Sequence, residues 1–285
     1  MKKTTTFISL IFFSPALVLN MLKNFFERSR KPFNTFRASA GIILCIFISF
    51  SSTNYGLIIE SDHLSSVLEH IGPRNTLVIF DIDNTLAHPT EELSSDEWFC
   101  YLVDKKMAEG FDYITSVYYA LPAAYYAQFN IPLEPTEPHI PDLIARLVNN
   151  GIAVMALSSR SLFIAERSLD QLNNINITFF VPNVNPQDLV LPMPYPCFYK
   201  DGILFSDNND KGEALNCFFD IMNYHPEKVI FIDDKMKYIL SVEKALQTHH
   251  IPFVGIRYSG CDERVKNFNP AKSESQWHAL KQKNK

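Results

Sequence analysis

The 285-residue sequence has no C-x-x-C pair and no cysteine–histidine grouping with the spacing of a zinc site. It also lacks an apolar run of the roughly 18 residues that mark a transmembrane helix. Beyond residue 51 it has no basic surplus: 19 Lys and Arg stand against 30 Asp and Glu, a formal charge of −11. These absences exclude a zinc module and a nucleic-acid binder that works through a broad positive surface. Cysteine is sparse as well. Cys45 falls in the leader described below, and Cys100, Cys197, Cys217 and Cys261 remain as buried thiols or as a disulfide for which three pairings are possible. The eight histidines are scattered, with His88 alone near the acidic motif singled out below.

The N-terminus differs from the rest. Lys2 and Lys3 precede an apolar stretch at residues 7–19, a basic segment covers 23–37, and a second apolar stretch covers 42–50. Both stretches have the length of a secretory h-region behind a positive n-region, and Ser49, Ser51 and Ser52 offer a cleavage neighbourhood. A start at Met21 would leave one ordinary signal peptide. Residues 1–52 therefore read as a leader, and the product as exported, periplasmic or secreted. The alternative is anchorage by an uncleaved hydrophobic segment, which would be the chain's sole membrane contact.

The chemistry centres on TLVIFDIDNTL, residues 76–86. Thr76 to Phe80 is a run without polar alternation, as in a strand covered on both faces of a parallel sheet. Such sheets bind ligands beyond the carboxyl ends of their strands, and Asp81 and Asp83 stand there. Two residues apart on extended backbone, their side chains point the same way. Paired carboxylates repel and resist desolvation without a counter-ion, which a divalent cation would supply. An EF-hand reading fails, since it wants a ligand at 85 and glycine at 86, where Thr85 and Leu86 stand.

Along the rest of the chain, residues 55–75 read as a helix, amphipathic over 61–69 and stopped by Gly72 and Pro73. Residues 89–138 interrupt the strand–helix alternation with a helical insertion whose aromatics, among them Trp98, Tyr118 and Tyr125, form an inner face. A helix over 142–150 ends at Gly151, and a strand over 152–157 runs into Ser158, Ser159 and Arg160. Serines there can cap the next helix, and Arg160 suits either a phosphate clamp or an ion pair. Residues 177–181 read as a third strand, followed by a hairpin at Asp201 and Gly202. Asp210 and Glu213 resemble a capping box, so a helix begins at Lys211. Lysine in a first turn opposes the helix dipole, a cost easier to understand if its ammonium neutralises a phosphate and clustered aspartates. A fourth strand over 228–232 delivers Asp233 and Asp234. A helix over 235–248, a fifth strand over 252–256 and a peripheral lysine-rich helix complete the chain.

The string DIDNTLAHP resembles the first motif of the haloacid dehalogenase (HAD) superfamily, and Ser158, Lys211 and Asp233–Asp234 resemble its second, third and fourth motifs in order. Ser159 is the second choice for the hydroxyl and Lys200 for the lysine. The chain is also similar to an uncharacterised group of exported bacterial HAD-like proteins. The resemblance implies an α/β fold: a Rossmann-like open parallel sheet of about five strands with helices on both faces, built from residues 53–88 and 139–285, with residues 89–138 as a small helical cap. It further implies a magnesium-dependent phosphatase acting on a small phosphorylated substrate through an aspartyl-phosphate. Asp81 would be the nucleophile and Asp83 the acid and base. Ser158, Ser159, Arg160 and Lys211 would hold the phosphate, and Asp81, Asp83, Asp233 and Asp234 would hold Mg2+. The alternatives are a phosphotransferase and an exported binding or effector protein without turnover.

Overall fold

In the computed structural model, residues 56–72, 75–182, 184 and 188–283 are described. The leader over 1–52, Met21 as a start and Pro73 as a helix stop lie outside them. In chain order the strands are β1 (Leu57–Ser61), β2 (Thr76–Phe80), β3 (Ala87–Pro89), β4 (Leu133–Pro135), β5 (Ala153–Ser158), β6 (Leu189–Leu191), β7 (Cys197–Lys200), β8 (Ile203–Phe205), β9 (Lys228–Asp233) and β10 (Phe253–Tyr258). The helices are α1 (Asp96–Ala108), α2 (Tyr113–Asn130), α3 (Ile140–Asn149), α4 (Ala165–Asn173), α5 (Lys211–Met222), α6 (Met236–Thr248), α7 (Asp262–Lys266) and α8 (Pro270–Lys283). None of these helices is long and apolar enough to cross a membrane.

Eight strands form one sheet in the order β1-β10-β9-β2-β5-β8-β7-β6. The six from β1 to β8 are parallel, and β7 and β6 add an antiparallel edge. The fold is therefore α/β with a mostly parallel central sheet, as expected, but with more strands than the expected five. β2 lies at the centre because all five of its residues are buried. Alternate residues serve opposite faces: Val78 and Phe80 pack with Leu143, Leu147 and Leu172 beneath α3 and α4, and Leu77 and Ile79 pack with Leu215, Phe218, Val242 and Leu246 beneath α5 and α6.

Two local expectations of secondary structure are corrected and a third holds. The segment before β2 is an edge strand, β1, followed by a 3-10 helix at Leu64–His70 rather than an α-helix. Leu57, Ile58 and Ile59 favour pleated backbone, and β10 offers a free parallel edge for them. Residues 177–181 are not a strand: one antiparallel bridge joins Phe180 to Val154, and β8 takes the place beside β5. The turn from β7 to β8 does form at Asp201 and Gly202, both at positive φ (45° and 84°), the backbone of a primed hairpin turn.

The insertion contains α1 and α2 on a stem made by β3 and β4. Its aromatics do not form one inner face. α2 turns Ser116, Ala120, Ala124 and Ala127 inward, while Tyr113, Tyr118, Tyr119 and Phe129 are exposed. Small residues let α2 pack close to α1, so the large rings are displaced outward. The buried aromatic is Trp98, which packs with Leu93, Ala127 and Ile131. α8 is no loose tail either: Trp277 meets Trp98 with centroids 5.5 Å apart, and Glu274 accepts hydrogen bonds from Tyr101 and Lys105.

Candidate active site

The chain leaves β2 for β5 on one side and later returns to β9 on the other, so β2 is a topological switch point, where open sheets place ligands. The strand ends are level. Phe80 is in register with Ala156 of β5 and with Ile232 of β9. The next residues, Asp81 and Asp233, therefore stand side by side at about the 4.8 Å spacing of paired strands. Asp81 keeps the parity of Leu77 and Ile79 and so points toward the layer of α5.

That layer supplies Lys211, only 1% exposed at the first turn of α5. Its Nζ donates to Asp81 Oδ1 at 2.5 Å and to Asp233 Oδ2 at 2.8 Å, and it sits 4.4 Å from the centroid of the Tyr238 ring. Two features hold the lysine in place. Asp210 caps the helix by accepting from the Glu213 amide. Gly212 lets α5 approach α6, since a Cβ there would lie 2.3 Å from the Ser241 carbonyl oxygen.

Asp81, Asp233 and Asp234 offer carboxylate oxygens all within 4.8 Å of one another. Lys211, with Lys235 beside Asp234 but itself paired to Asp96, does not neutralise three carboxylates. Burial pushes the Asp81 carboxyl up to about 7, against the opposing pull of Lys211. Burial likewise raises Asp234 to about 8, with Asp81 adding to the rise. Burial would lower the Lys211 ammonium, but Asp233 and Asp81 outweigh it and raise it. A cluster of hard oxygen donors short of positive charge fits a divalent cation of the magnesium or calcium kind. The Asp83 side chain is not in this cluster.

Asp83 is held instead by Arg160 in a two-pronged pair: Nε donates to Oδ2 at 2.9 Å and NH2 to Oδ1 at 2.8 Å. The NH1 nitrogen of Arg160 donates to Ser168 and Gln171. Burial raises the Asp83 carboxyl, but the Arg160 guanidinium outweighs it and holds the group below the usual carboxylate range. Arg160, placed by sequence among the phosphate ligands, thus spends four of its N–H groups on protein partners. Ser158 is buried at the end of β5, and its Oγ accepts from the Arg160 amide at 3.2 Å. Ser159 is exposed. Lys200 lies on the β7–β8 hairpin and pairs with Asp188 and Glu166.

Several residues of the site were given no role by the sequence. Thr85 joins the two acidic loops by accepting from the Asp234 amide at 3.1 Å. Asn84 adopts φ 58°, a conformation asparagine tolerates, and its side chain donates to Glu97 Oε1. Lys235 pairs with Asp96 at 2.5 Å and so ties the acidic end of β9 to the first turn of α1. An uncharged threonine inside a motif string, or an aspartate fifteen residues beyond its first acid, looks like any loop or helix-start residue until the chain is folded. Cys100, Cys197, Cys217 and Cys261 are free thiols, and His88 lies on the stem, paired with Glu134.

Among known proteins, the chain is 32% identical over 189 residues to a Chlamydia trachomatis protein named "Putative outer membrane protein", covering 65% of this chain and 69% of that one. An uncharacterised protein of Rickettsia prowazekii is 26% identical over 235 residues, with 76% and 82% covered. Among solved structures, a haloacid dehalogenase-like hydrolase of Streptococcus pneumoniae superposes with a TM-score of 0.39 at 13% identity, covering 67% of this chain and 97% of that one. A class C acid phosphatase of Bacillus anthracis gives a TM-score of 0.33 at 14% identity, covering 78% and 84%. A family model matches residues 60–284, which span the whole sheet from the end of β1, the insertion and α8. The chain belongs to that family, described as "Protein of unknown function (DUF2608)".

Proposed function

We propose that the protein is a magnesium-dependent phosphomonoesterase that works through an aspartyl-phosphate on Asp81. The observation that carries this reading is Asp81 at the switch point, one oxygen on Lys211 and two further carboxylates beside it. The resemblance of the four sequence motifs to those of HAD phosphatases supports it.

In this reading an Asp81 oxygen attacks phosphorus, the ester P–O bond breaks, and Asp83 gives a proton to the departing alkoxide. Asp83 then takes a proton from water, whose oxygen attacks phosphorus, releasing inorganic phosphate and restoring Asp81. Lys211 and the Ser158 hydroxyl bind phosphoryl oxygens, since phosphoryl transfer depends mainly on positioning and charge neutralisation. Asp81, Asp233, Asp234 and the Asp83 backbone carbonyl would hold Mg2+, which supplies positive charge to the same oxygens. The insertion serves as the cap that chooses the substrate. Sequence features of the leader and the names of the Chlamydia relatives support export to the cell envelope or beyond.

Hydrolysis of p-nitrophenyl phosphate by the purified protein tests the reading. Turnover in Mg2+ that falls at least about 100-fold in EDTA is expected, whereas turnover indifferent to chelation would overturn the metal assignment. A second expectation concerns pH. Asp83 must carry a proton to act as the acid, and Arg160 holds it in the ionised form. With bound Mg2+ supplying the charge that keeps Asp81 ionised, the optimum of kcat/KM therefore lies on the acidic side of neutrality. Arg160→Gln moves it upward, because the released carboxyl titrates higher. An unmoved pH profile in that variant would exclude Asp83 as the acid.

A further inference from the structure

The floor of the site opens, at Asp83, Arg160 and Lys235, into a cleft of about 590 Å3 between the core and the insertion. Its size is that of pockets which enclose a drug-sized ligand, about 300–1,000 Å3, far more than a phosphoryl group and a short alcohol occupy. Two features of its wall narrow the occupant.

The first is aromatic. Phe99, Tyr118, Tyr125, Phe163 and Tyr195 line the cleft, and Tyr118 and Phe163 leave 66% and 69% of their surface exposed. These rings come from α1, α2, the 3-10 helix at Leu162–Ile164 and the loop between β6 and β7, so no single helix periodicity accounts for them. The second is polar and buried. Ser94 and Trp98 also line the cleft, are at least nine-tenths buried, and have no hydrogen-bond partner for Oγ and Nε1. Gln128 Oε1, on the same wall, is likewise buried without a partner. Unpaired buried polar atoms are costly and rare. Ser94 is held at φ 78° as well, a strained setting for a serine and one that clusters at ligand sites.

An acyl chain would match the ring faces and leave the polar atoms unanswered. A bare sugar would answer the polar atoms and leave the ring faces wet. A flat ring with donors and acceptors on its edge meets both. Resting on the phosphatase reading above, we infer that the alcohol released by the enzyme carries a heteroaromatic ring, and that the ester hydrolysed is of the nucleoside monophosphate class, giving nucleoside and inorganic phosphate with consumption of one water.

Adenosine 5′-monophosphate and ribose 5-phosphate present the same phosphoryl group on the same primary alcohol and differ in the base. Base–aromatic stacking is worth about 1–3 kcal/mol, so kcat/KM is expected to be about 10- to 100-fold higher for the nucleotide. Phe163→Ala and Tyr118→Ala should each lower it for the nucleotide about 10-fold more than for the sugar phosphate. Equal kcat/KM for the two esters, or a preference that both variants leave intact, overturns the inference while the phosphatase reading stands. If neither ester is hydrolysed, calorimetry decides. Nucleotide binding in Mg2+ that weakens in Phe163→Ala keeps the cleft assignment, absence of binding overturns it, and in either case hydrolysis of p-nitrophenyl phosphate decides the phosphatase reading separately.

Discussion

Asp81→Asn is expected to lower phosphatase turnover by about four orders of magnitude or more, the scale on which loss of a nucleophile acts, and at the same time to raise the melting temperature of the metal-free protein. The second half follows from burial. Asp81 has its carboxyl raised to about 7 and Asp234 to about 8. A group whose folded value lies above its unfolded value stabilises the native state while protonated. That contribution is complete below about pH 4, the ordinary carboxyl value, and is lost as pH climbs through 7 and 8. Thermal melts of the EDTA-treated protein should therefore fall between pH 5 and pH 8, and the fall should be shallower in Asp81→Asn. A variant that melts lower than the parent at pH 8 would mean that the native carboxylate is a net stabiliser, and that its burial is already balanced by Lys211 alone. Mg2+ should flatten the parent's melts over the same interval by supplying the missing positive charge.

Lys211→Met carries the opposite expectation. It leaves Asp81 and Asp233, at most 8% exposed at the side chain, facing each other without an ammonium. Removing one partner of a buried ion pair costs about 3–5 kcal/mol. In a domain of this size that is a drop of about 10 °C in melting temperature. Denaturant titration at pH 7.5 in EDTA measures it, and a loss below about 1 kcal/mol would show that the carboxylates share a proton instead of relying on the lysine. Acidification to pH 5 should recover much of the loss, because the uncompensated carboxyls take up protons. Lys211→Arg is no conservative control. The guanidinium is larger than the space left by Tyr238 and Phe231, whose ring centroids lie 4.4 and 5.7 Å from Nζ.

The parts of this site legible in the sequence are those where one strand or one helix start makes the argument locally. A continuous apolar run ending in an acid announces both a strand covered on two faces and the edge at which it stops. Thr76–Phe80 before Asp81 and Lys228–Asp233 both read this way, and β2 and β9 lie where those runs put them. Lys211 was legible for a different reason, an ammonium where the helix dipole disfavours one. What could not be read is whatever depends on two distant segments meeting. The pairing of Arg160 with Asp83 spans 77 residues and that of Lys235 with Asp96 spans 139. β1 and the failed strand at 177–181 show the same limit, since each was decided by which sheet edge was free. The aromatics of α2 were legible as a cluster but not in direction, because the alanines and not the tyrosines set how closely that helix packs.

The contact of Trp277 with Trp98 gives the end of the chain an unexpected station. Trp98 belongs to the cleft wall, so α8, the last helix described, is its outer brace. The wall of the chamber is thus shared between segments far apart in the folded sequence. The acidic motif stands at the end of β2, and the shape of the chamber beside it depends on a helix that lies outside the insertion. A substitution on α8 can therefore reshape the chamber from outside it without touching the acidic cluster.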